Sequence, residues 1–315
     1  MDLTAKTFRS GFVSIIGRPN AGKSTLLNAL LGTKLAIVAD KPQTTRTSIQ
    51  GVWTDTPAGD QPGAQIVFLD TPGINEAKSL LHKRMNDKIK EALDGRDLIL
   101  FVVDASRPFV KADEEALRWV EGLKVPVLLV LNKVDAMESK GALLPLIAHY
   151  EGLREFAEII PISALAEDGV ELVRKAILVR LPEGPQYFPD DYLTNQPERF
   201  LVAELIREKI LHMTRQEVPH AVAVMVDQWE EVPKPSGTLT RILATIHVER
   251  AGQKAILLGS KGEMLKRIGT AARLDIERLY DRKVYLELFV KVSEGWRERP
   301  QFLNELDQSA VSRTD

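Results

Sequence analysis

The chain has no cysteine, which removes disulfides and thiolate metal sites from consideration. No stretch approaches the roughly 20 uninterrupted apolar residues of a membrane span. The opening residues, Met1-Asp2-Leu3-Thr4-Ala5-Lys6, lack an apolar signal core. The simplest expectation is a cytoplasmic protein, and peripheral membrane contact is neither required nor excluded. A large charge of one sign is also missing. With 42 Lys and Arg against 44 Asp and Glu, the formal net charge is −2. Overall charge therefore points to no nucleic-acid partner, and the distribution of charge must be read instead. No Ser/His/Asp arrangement or metal-ligand cluster stands out, and His212, His220 and His247 read as structural or surface residues. What remains is a chain of 315 residues, 44% hydrophobic, which suits two domains with buried cores.

Residues 17–24 read Gly-Arg-Pro-Asn-Ala-Gly-Lys-Ser, the G-x-x-x-x-G-K-[ST] pattern. It follows the apolar run Phe12 to Ile16 and precedes the helix-like stretch Ser24 to Leu31. That strand–loop–helix context makes it a phosphate-binding loop: backbone N–H groups close around a triphosphate, Lys23 supplies a cation, and the Ser24 hydroxyl is a Mg²⁺ ligand. Gly17, Asn20, Ala21, Gly22, Lys23, Ser24 and Thr25 form the predicted phosphate cradle.

The base is read from Asn132-Lys133-Val134-Asp135, after the apolar run Val127 to Leu131. A carboxylate only accepts hydrogen bonds. Asp135 therefore suits the N1–H and amino donors of guanine, and a buried, unpaired Asp135 would penalise adenine. Losing such a buried polar partner typically discriminates by roughly 10⁴-fold. Ser163-Ala164-Leu165 follows Ile159 to Ile162, and its Ala164 N–H is expected to reach the guanine carbonyl. Asp70-Thr71-Pro72-Gly73 ends the strand Gln65 to Leu69. Asp70 fits the acid on the Mg²⁺ side, and the Gly73 N–H fits a γ-phosphate sensor. All lie at the carboxyl ends of predicted strands, the ligand-binding edge of an open α/β sheet. Thr44 and Thr45 lie in the first switch loop; one hydroxyl joins Mg²⁺ with GTP, and Thr45 is preferred. Lys23, Thr45 and Gly73 are the predicted catalytic set, and Ser24, Thr45 and Asp70 the metal set. Ile74 stands where regulatory GTPases place a water-orienting glutamine, so intrinsic hydrolysis is expected to be slow. Arg18 and Arg46 are the nearest arginines, and neither is an evident finger.

Residues 11–180 alternate strand-like and helix-like segments, which predicts a P-loop α/β domain with a mostly parallel six-stranded sheet and helices on both faces. Strands are expected near 11–16, 47–54, 65–70, 97–103, 126–131 and 158–161, and helices near 23–31, 77–93, 112–122, 138–150 and 169–180. Turn residues at 55–63 make the second and third strands an antiparallel hairpin. Proline-rich residues 181–197 form a semi-rigid linker, with Tyr187 and Phe188 pinning it to a domain surface. Residues 198–300 then follow the order α-β-β-α-α-β. Strands are placed at 220–229, 240–249 and 283–292, with Ile242, Ala244, Ile246 and Val248 on one side of theirs. Residues 301–315 read as a polar tail.

Gly259-Ser260-Lys261-Gly262 joins the last two helices. A G-x-x-G loop in that position clamps a nucleic-acid backbone in a KH domain. Residues 251–283 carry eight basic side chains against four acidic ones, a local electrostatic footprint, although some form i,i+4 pairs. Gly259, Ser260, Lys261, Gly262 and Lys266 are the predicted RNA contacts.

A single small GTPase domain followed by such a module resembles the Era family. The resemblance covers nearly the whole chain. It rests on the segments above with Gln43-Thr44-Thr45-Arg46, and on Leu181-Pro182-Glu183-Gly184-Pro185, Glu198-Arg199-Phe200, Arg215-Gln216-Glu217-Val218-Pro219-His220 and Gly269-Thr270-Ala271-Ala272-Arg273. It implies a GTPase that cycles between GTP and GDP with Mg²⁺, and a type II KH domain. It further implies that the protein binds the single-stranded 3′ end of small-subunit (16S) ribosomal RNA on the 30S subunit, as a monomer, in ribosome assembly. Asn195 departs from the family's Thr-Asp-x-Pro linker. Related GTPases with Asn at the Asn20 position bind K⁺ beside the phosphates; the alternative is a loop hydrogen bonder. A tRNA-modification GTPase shares Asn20 and Thr44-Thr45 but uses a terminal cysteine motif. A tandem GTPase needs a second G-x-x-x-x-G-K, absent here. An RNA-binding scaffold with an inert nucleotide site has no use for Lys23, Ser24, Asp70 and Asp135 together.

Overall fold

Four apolar strands in the first half of the chain have no polar alternation, as expected where helices cover both faces of a parallel sheet. In the computed structural model, which describes residues 7–41, 43–56, 63–74, 76–215, 218–235 and 237–310, these become β1 (Arg9–Gly17), β3 (Ala64–Asp70), β4 (Leu98–Asp104) and β5 (Val127–Asn132). With β2 (Ile49–Asp55) and β6 (Glu158–Pro161) they form a six-stranded sheet in the order β2-β3-β1-β4-β5-β6, in which only β2 is antiparallel. Helices α1 (Lys23–Leu31), α2 (Leu80–Leu93), α3 (Lys111–Leu117), α4 (Leu143–Leu153) and α5 (Val170–Leu178) complete the α/β pattern. The register decides the chemistry: Ile15 is opposite Asp70, and Asp104 is opposite Asn132, so polar strand ends emerge at one sheet edge.

The second half contains α6 (Glu198–Met213), β7 (Ala223–Lys234), β8 (Gly237–Val248), α7 (Ala251–Leu258), α8 (Glu263–Tyr280) and β9 (Lys283–Val292). Strand β8 is antiparallel to β7 and parallel to β9. Ile242, Ala244, Ile246 and Val248 are fully buried against Ile206, Ile210, Ile268, Ala272 and Ile276. The helical residues recur at intervals of four, which puts one apolar stripe of α6 and one of α8 on the sheet.

Several boundaries differ from expectation. Helix α2 begins at Leu80 rather than 77, and 3₁₀ turns occupy 118–120 and 140–142 beside α3 and α4. Strands β7 and β8 form a longer hairpin than 220–229 and 240–249 allowed, because pairing continues past a bulge after Val226, from Gln228 opposite Leu243 to Lys234 opposite Gly237. The described part of the polar C-terminal segment, up to residue 310, is ordered on the second unit. Pro300–Ser309 forms helix α9, with Pro at its start. Leu303 is buried, and the Phe302 ring packs on His247 and Trp296. Those two apolar side chains anchor an otherwise polar segment.

The chain divides into two compact units, 1–36, 45–77 and 84–194 in one and 37–44, 78–83 and 195–315 in the other. The linker thus belongs with the first unit up to Thr194. Gln65 explains this: its Oε1 accepts the Tyr187 and Phe188 N–H groups at 2.8 and 3.0 Å, and Tyr187 packs on Phe12. The expected readings of Met1–Lys6, of the hairpin tip at 57–62, of Gln216-Glu217 and of the last five residues lie outside the described residues.

Candidate nucleotide site and nucleic-acid interface

Gly22 caps the start of α1 with a left-handed φ of 92°, and a Cβ there would lie 2.2 Å from Asn132 Nδ2. Only glycine permits both the turn and this contact. The phosphate loop and the Asn132 loop are therefore packed together. Asn132 Nδ2 donates to the Ala21 carbonyl at 2.8 Å, while its Oδ1 accepts the Lys133 N–H at 2.8 Å and the Ala164 N–H at 2.9 Å. One buried amide ties three loops at the sheet edge.

Lys23 is buried, with its Nζ donating to the Arg18 carbonyl at 3.0 Å. Burial lowers its pKa to about 8, against the opposing attraction of Asp70. Asp70 is fully buried, and burial raises its pKa to about 6 although Lys23 and hydrogen bonds from Ser24, Thr45 and Thr71 oppose the rise. Ser24 Oγ donates to Asp70 Oδ2 at 2.6 Å and lies 2.8 Å from Thr45 Oγ1. Thr44 does not join them. Its hydroxyl donates to the Lys41 carbonyl at 2.6 Å, inside its own loop.

These residues fit a divalent cation. Two hydroxyls and a carboxylate converge, and Asp70 Oδ1 is buried with no hydrogen-bond partner among the described residues. A hard cation that keeps waters and takes phosphate oxygens needs few protein ligands. Gly73 is buried against Pro19, which brings the Asp70–Gly73 turn onto the phosphate loop. Ile74 packs into the apolar core of the first unit. Arg18 pairs with Asp113 at 2.8 Å. Asn20 has φ of 63°, and Thr25 is half-buried in the first turn of α1.

Two of the residues expected at the base have definite surroundings without it. The Ala164 N–H donates to Asn132 Oδ1, sharing that buried amide oxygen with the Lys133 N–H. Asp135 is exposed, in a 3₁₀ turn. A base seated against it would complete its burial. Ser163 is buried and its Oγ accepts the Ala166 N–H at 3.2 Å, while Leu165 is exposed.

Sequence reading missed three residues that hold these loops. Asn28 brackets the start of the switch loop, accepting the Leu35 and Ala36 N–H groups and donating to the Ala36 carbonyl. Asp104 holds Lys133. Within the second unit, buried Arg207 pairs with Glu204 at 2.5 Å and donates to the Thr44 carbonyl. Asp104 was legible in principle, since it ends β4 as Asp70 ends β3. Asn28 and Arg207 sit inside helices and carry no such signal.

In the second unit, Gly259 (φ 67°) and Gly262 (φ 81°) flank Ser260 and Lys261, and Gly262 caps α8. A cavity of about 380 Å³ lies between α8 and β9, lined in part by Gly262, Lys266, Gly269, Arg273 and Leu288. Arg273 and Arg278 form helical ion pairs with Glu277 and Asp275, and Arg282 pairs with Glu198 and Glu231. Lys261 and Lys266 are exposed, with no ion pair among the described residues. His247 is buried and bonded to Ser293 at 2.9 Å, with burial lowering its pKa.

A family model for 50S ribosome-binding GTPases matches residues 12–133, and a KH-domain model matches 217–297. GTPase Era of Geobacter metallireducens is 54% identical over 303 residues, covering 95% of this chain and 97% of that protein. The chain belongs to the Era GTPase family. Era of Geotalea uraniireducens is 52% identical over 303 residues, covering 96% and 99%. Two solved structures match with TM-scores of 0.89 and 41% identity, each covering 95% of this chain and 98% of that one. One is an Aquifex aeolicus Era variant bound to GDP·AlF₄⁻; the other is Era with MgGDPNP and nucleotides 1506–1542 of 16S ribosomal RNA. As an Era-family member the chain is a P-loop GTPase with a C-terminal KH domain. Among the described residues no helix is long and apolar enough to cross a membrane.

Proposed function

We propose that the protein is a GTP-hydrolysing switch that binds the single-stranded 3′ end of small-subunit ribosomal RNA and acts in assembly of that subunit. The observation that carries the switch is the meeting of Ser24, Thr45 and Asp70 beside buried Lys23. These come from the phosphate loop, the switch loop and β3. Ser24, Thr45 and Asp70 would hold Mg²⁺, which when bound offsets phosphate charge. Lys23 neutralises the β/γ-phosphates, and the Gly73 turn reads the γ-phosphate. With γ-phosphate and Mg²⁺ bound, Thr45 would gain a metal bond, and losing that bond after hydrolysis would loosen the switch loop.

Hydrolysis without a partner is slow in this reading. Ile74 is packed into the core and Arg18 is tied to Asp113, so neither orients water nor stabilises transferring charge. The scale for an unassisted regulatory GTPase is roughly 10⁻⁴ s⁻¹. K⁺ beside Asn20 would supply the missing positive charge; equal rates in K⁺ and Na⁺ at one ionic strength would remove it.

RNA lies along Gly259–Gly262 with phosphates near the N-terminus of α8 and bases toward the α8/β9 groove, with Lys261 and Lys266 as cations. The protein works as a monomer on the 30S subunit in the cytoplasm. Fluorescent GDP titration and RNA filter binding test the two halves. Absence of either affinity would remove that half.

A further inference from the structure

Lys133 connects the base loop to the phosphate loop. It sits just past β5 in a left-handed conformation, φ 67°. Its Cε lies 3.9 Å from where a Cβ on Gly22 would be. Its ammonium is 2.8 Å from Asp104 Oδ2, and the two side chains are 33% and 15% exposed. The stem therefore lies extended across the loop that starts α1, fixed at both ends.

Asp104 is itself rigidly held. Its Oδ1 accepts the Ser106 N–H at 3.1 Å and the Ser106 hydroxyl at 2.5 Å. Arg107 Nε lies 3.6 Å from Oδ2. Strand pairing sets Asp104 opposite Asn132, and the Ala105 N–H donates to the Asn132 carbonyl at 2.8 Å. The carboxylate is thus placed by the sheet, not by a flexible loop. Hydrogen bonds from Lys133 and Ser106 keep its pKa below the usual value despite partial burial.

We infer that Asp104 is a positioning residue for guanine-nucleotide binding: it holds the Lys133 stem extended before ligand arrives, as an apolar shelf for the face of the purine. This rests on the nucleotide pocket assigned above. A lysine side chain loses considerable rotamer freedom when fixed. A stem already fixed by Asp104 avoids that loss at the moment of binding. Asp135 reads the edge of the base and discriminates among purines; the shelf touches only its face and does not.

The test is a double-mutant cycle on the full-length protein, using GDP, GTP and ADP. Asp104→Ala is expected to weaken GDP and GTP by about tenfold each. The loss falls on Kd and KM rather than on kcat, and the guanine-to-adenine ratio stays the same. Lys133→Met keeps an apolar stem and removes the ammonium. In that background Asp104→Ala should add nothing. Asp104→Asn, which preserves shape, covers the case in which the alanine variant fails to fold. Should wild type bind GDP tightly while Asp104→Ala and Asp104→Asn match it, the shelf is wrong and the pocket stands. Additive losses in the cycle would also overturn it. If wild type itself does not bind GDP, the pocket assignment fails first.

Discussion

The Ser24 hydroxyl lies 2.6 Å from Asp70 Oδ2, joining the first turn of α1 to the end of β3 across 46 positions of sequence. This contact is set by the pairing of β1 with β3, which places Asp70 opposite Ile15, two residues before the loop begins. Asp70→Asn keeps the shape and removes the charge. It should weaken Mg²⁺-dependent GTP binding by about 10- to 100-fold, the usual range when a metal's supporting shell is altered. Nucleotide titrations with Mg²⁺ and with EDTA would show it. An unchanged Mg²⁺ dependence would remove Asp70 from the metal set.

Guanine-nucleotide affinity should pass through a maximum between pH 6 and 8. Asp70, raised to about 6, takes up a proton below that value and loses its carboxylate charge. Lys23, lowered to about 8, loses its charge above it. The linkage signs follow. In the free protein Asp70 binds its proton more tightly than in the unfolded chain, so its contribution to stability falls as pH rises from its ordinary value toward 6. Lys23 binds its proton less tightly, so its contribution rises between 8 and its ordinary value. A bound triphosphate favours charged Lys23 and should take up about half a proton at pH 8. Calorimetry in buffers of different ionisation enthalpy measures this, and Lys23→Met should abolish it.

Asp135→Asn should weaken GDP by about 10²-fold or more, the scale of a lost paired hydrogen bond to a seated base. It should also favour xanthine, whose carbonyl replaces the guanine amino group and can accept from the asparagine amide. Competition between guanosine and xanthosine diphosphates reads out both effects. An unaltered preference for guanine would assign base reading elsewhere.

Replacing both Ser260 and Lys261 with Asp puts like charge where a phosphate approaches. RNA affinity should fall at least about tenfold while GDP affinity holds. Filter binding and fluorescent GDP titration separate the two. Normal RNA affinity would take the Gly259–Gly262 loop out of the interface.

The strands that carry the site were legible because β3, β4 and β5 are nearly unbroken apolar runs ending in Asp70, Asp104 and Asn132. The choice between Thr44 and Thr45 was not, since adjacent residues in an irregular loop have no periodicity to fix which side chain faces inward. Geometry separates them: Thr45 reaches Ser24, and Thr44 turns to Lys41. The exposure of Asp135 and the capture of Ala164 N–H by Asn132 also depend on packing between loops distant in sequence. Helix α9 was hidden for a similar reason. Only Phe302 and Leu303 mark it as anchored, and their partners lie up to 55 positions earlier, at His247.

The central claim is that RNA and GTP act on one switch, and by linkage RNA must then alter nucleotide affinity or turnover. The most direct measurement is single-turnover GTP hydrolysis in K⁺ buffer, with and without a short RNA copying the 3′ end of small-subunit ribosomal RNA. The account predicts acceleration by that RNA and none by a scrambled sequence. Equal rates with both RNAs, with GTP and the matching RNA bound, would contradict it and leave two uncoupled modules.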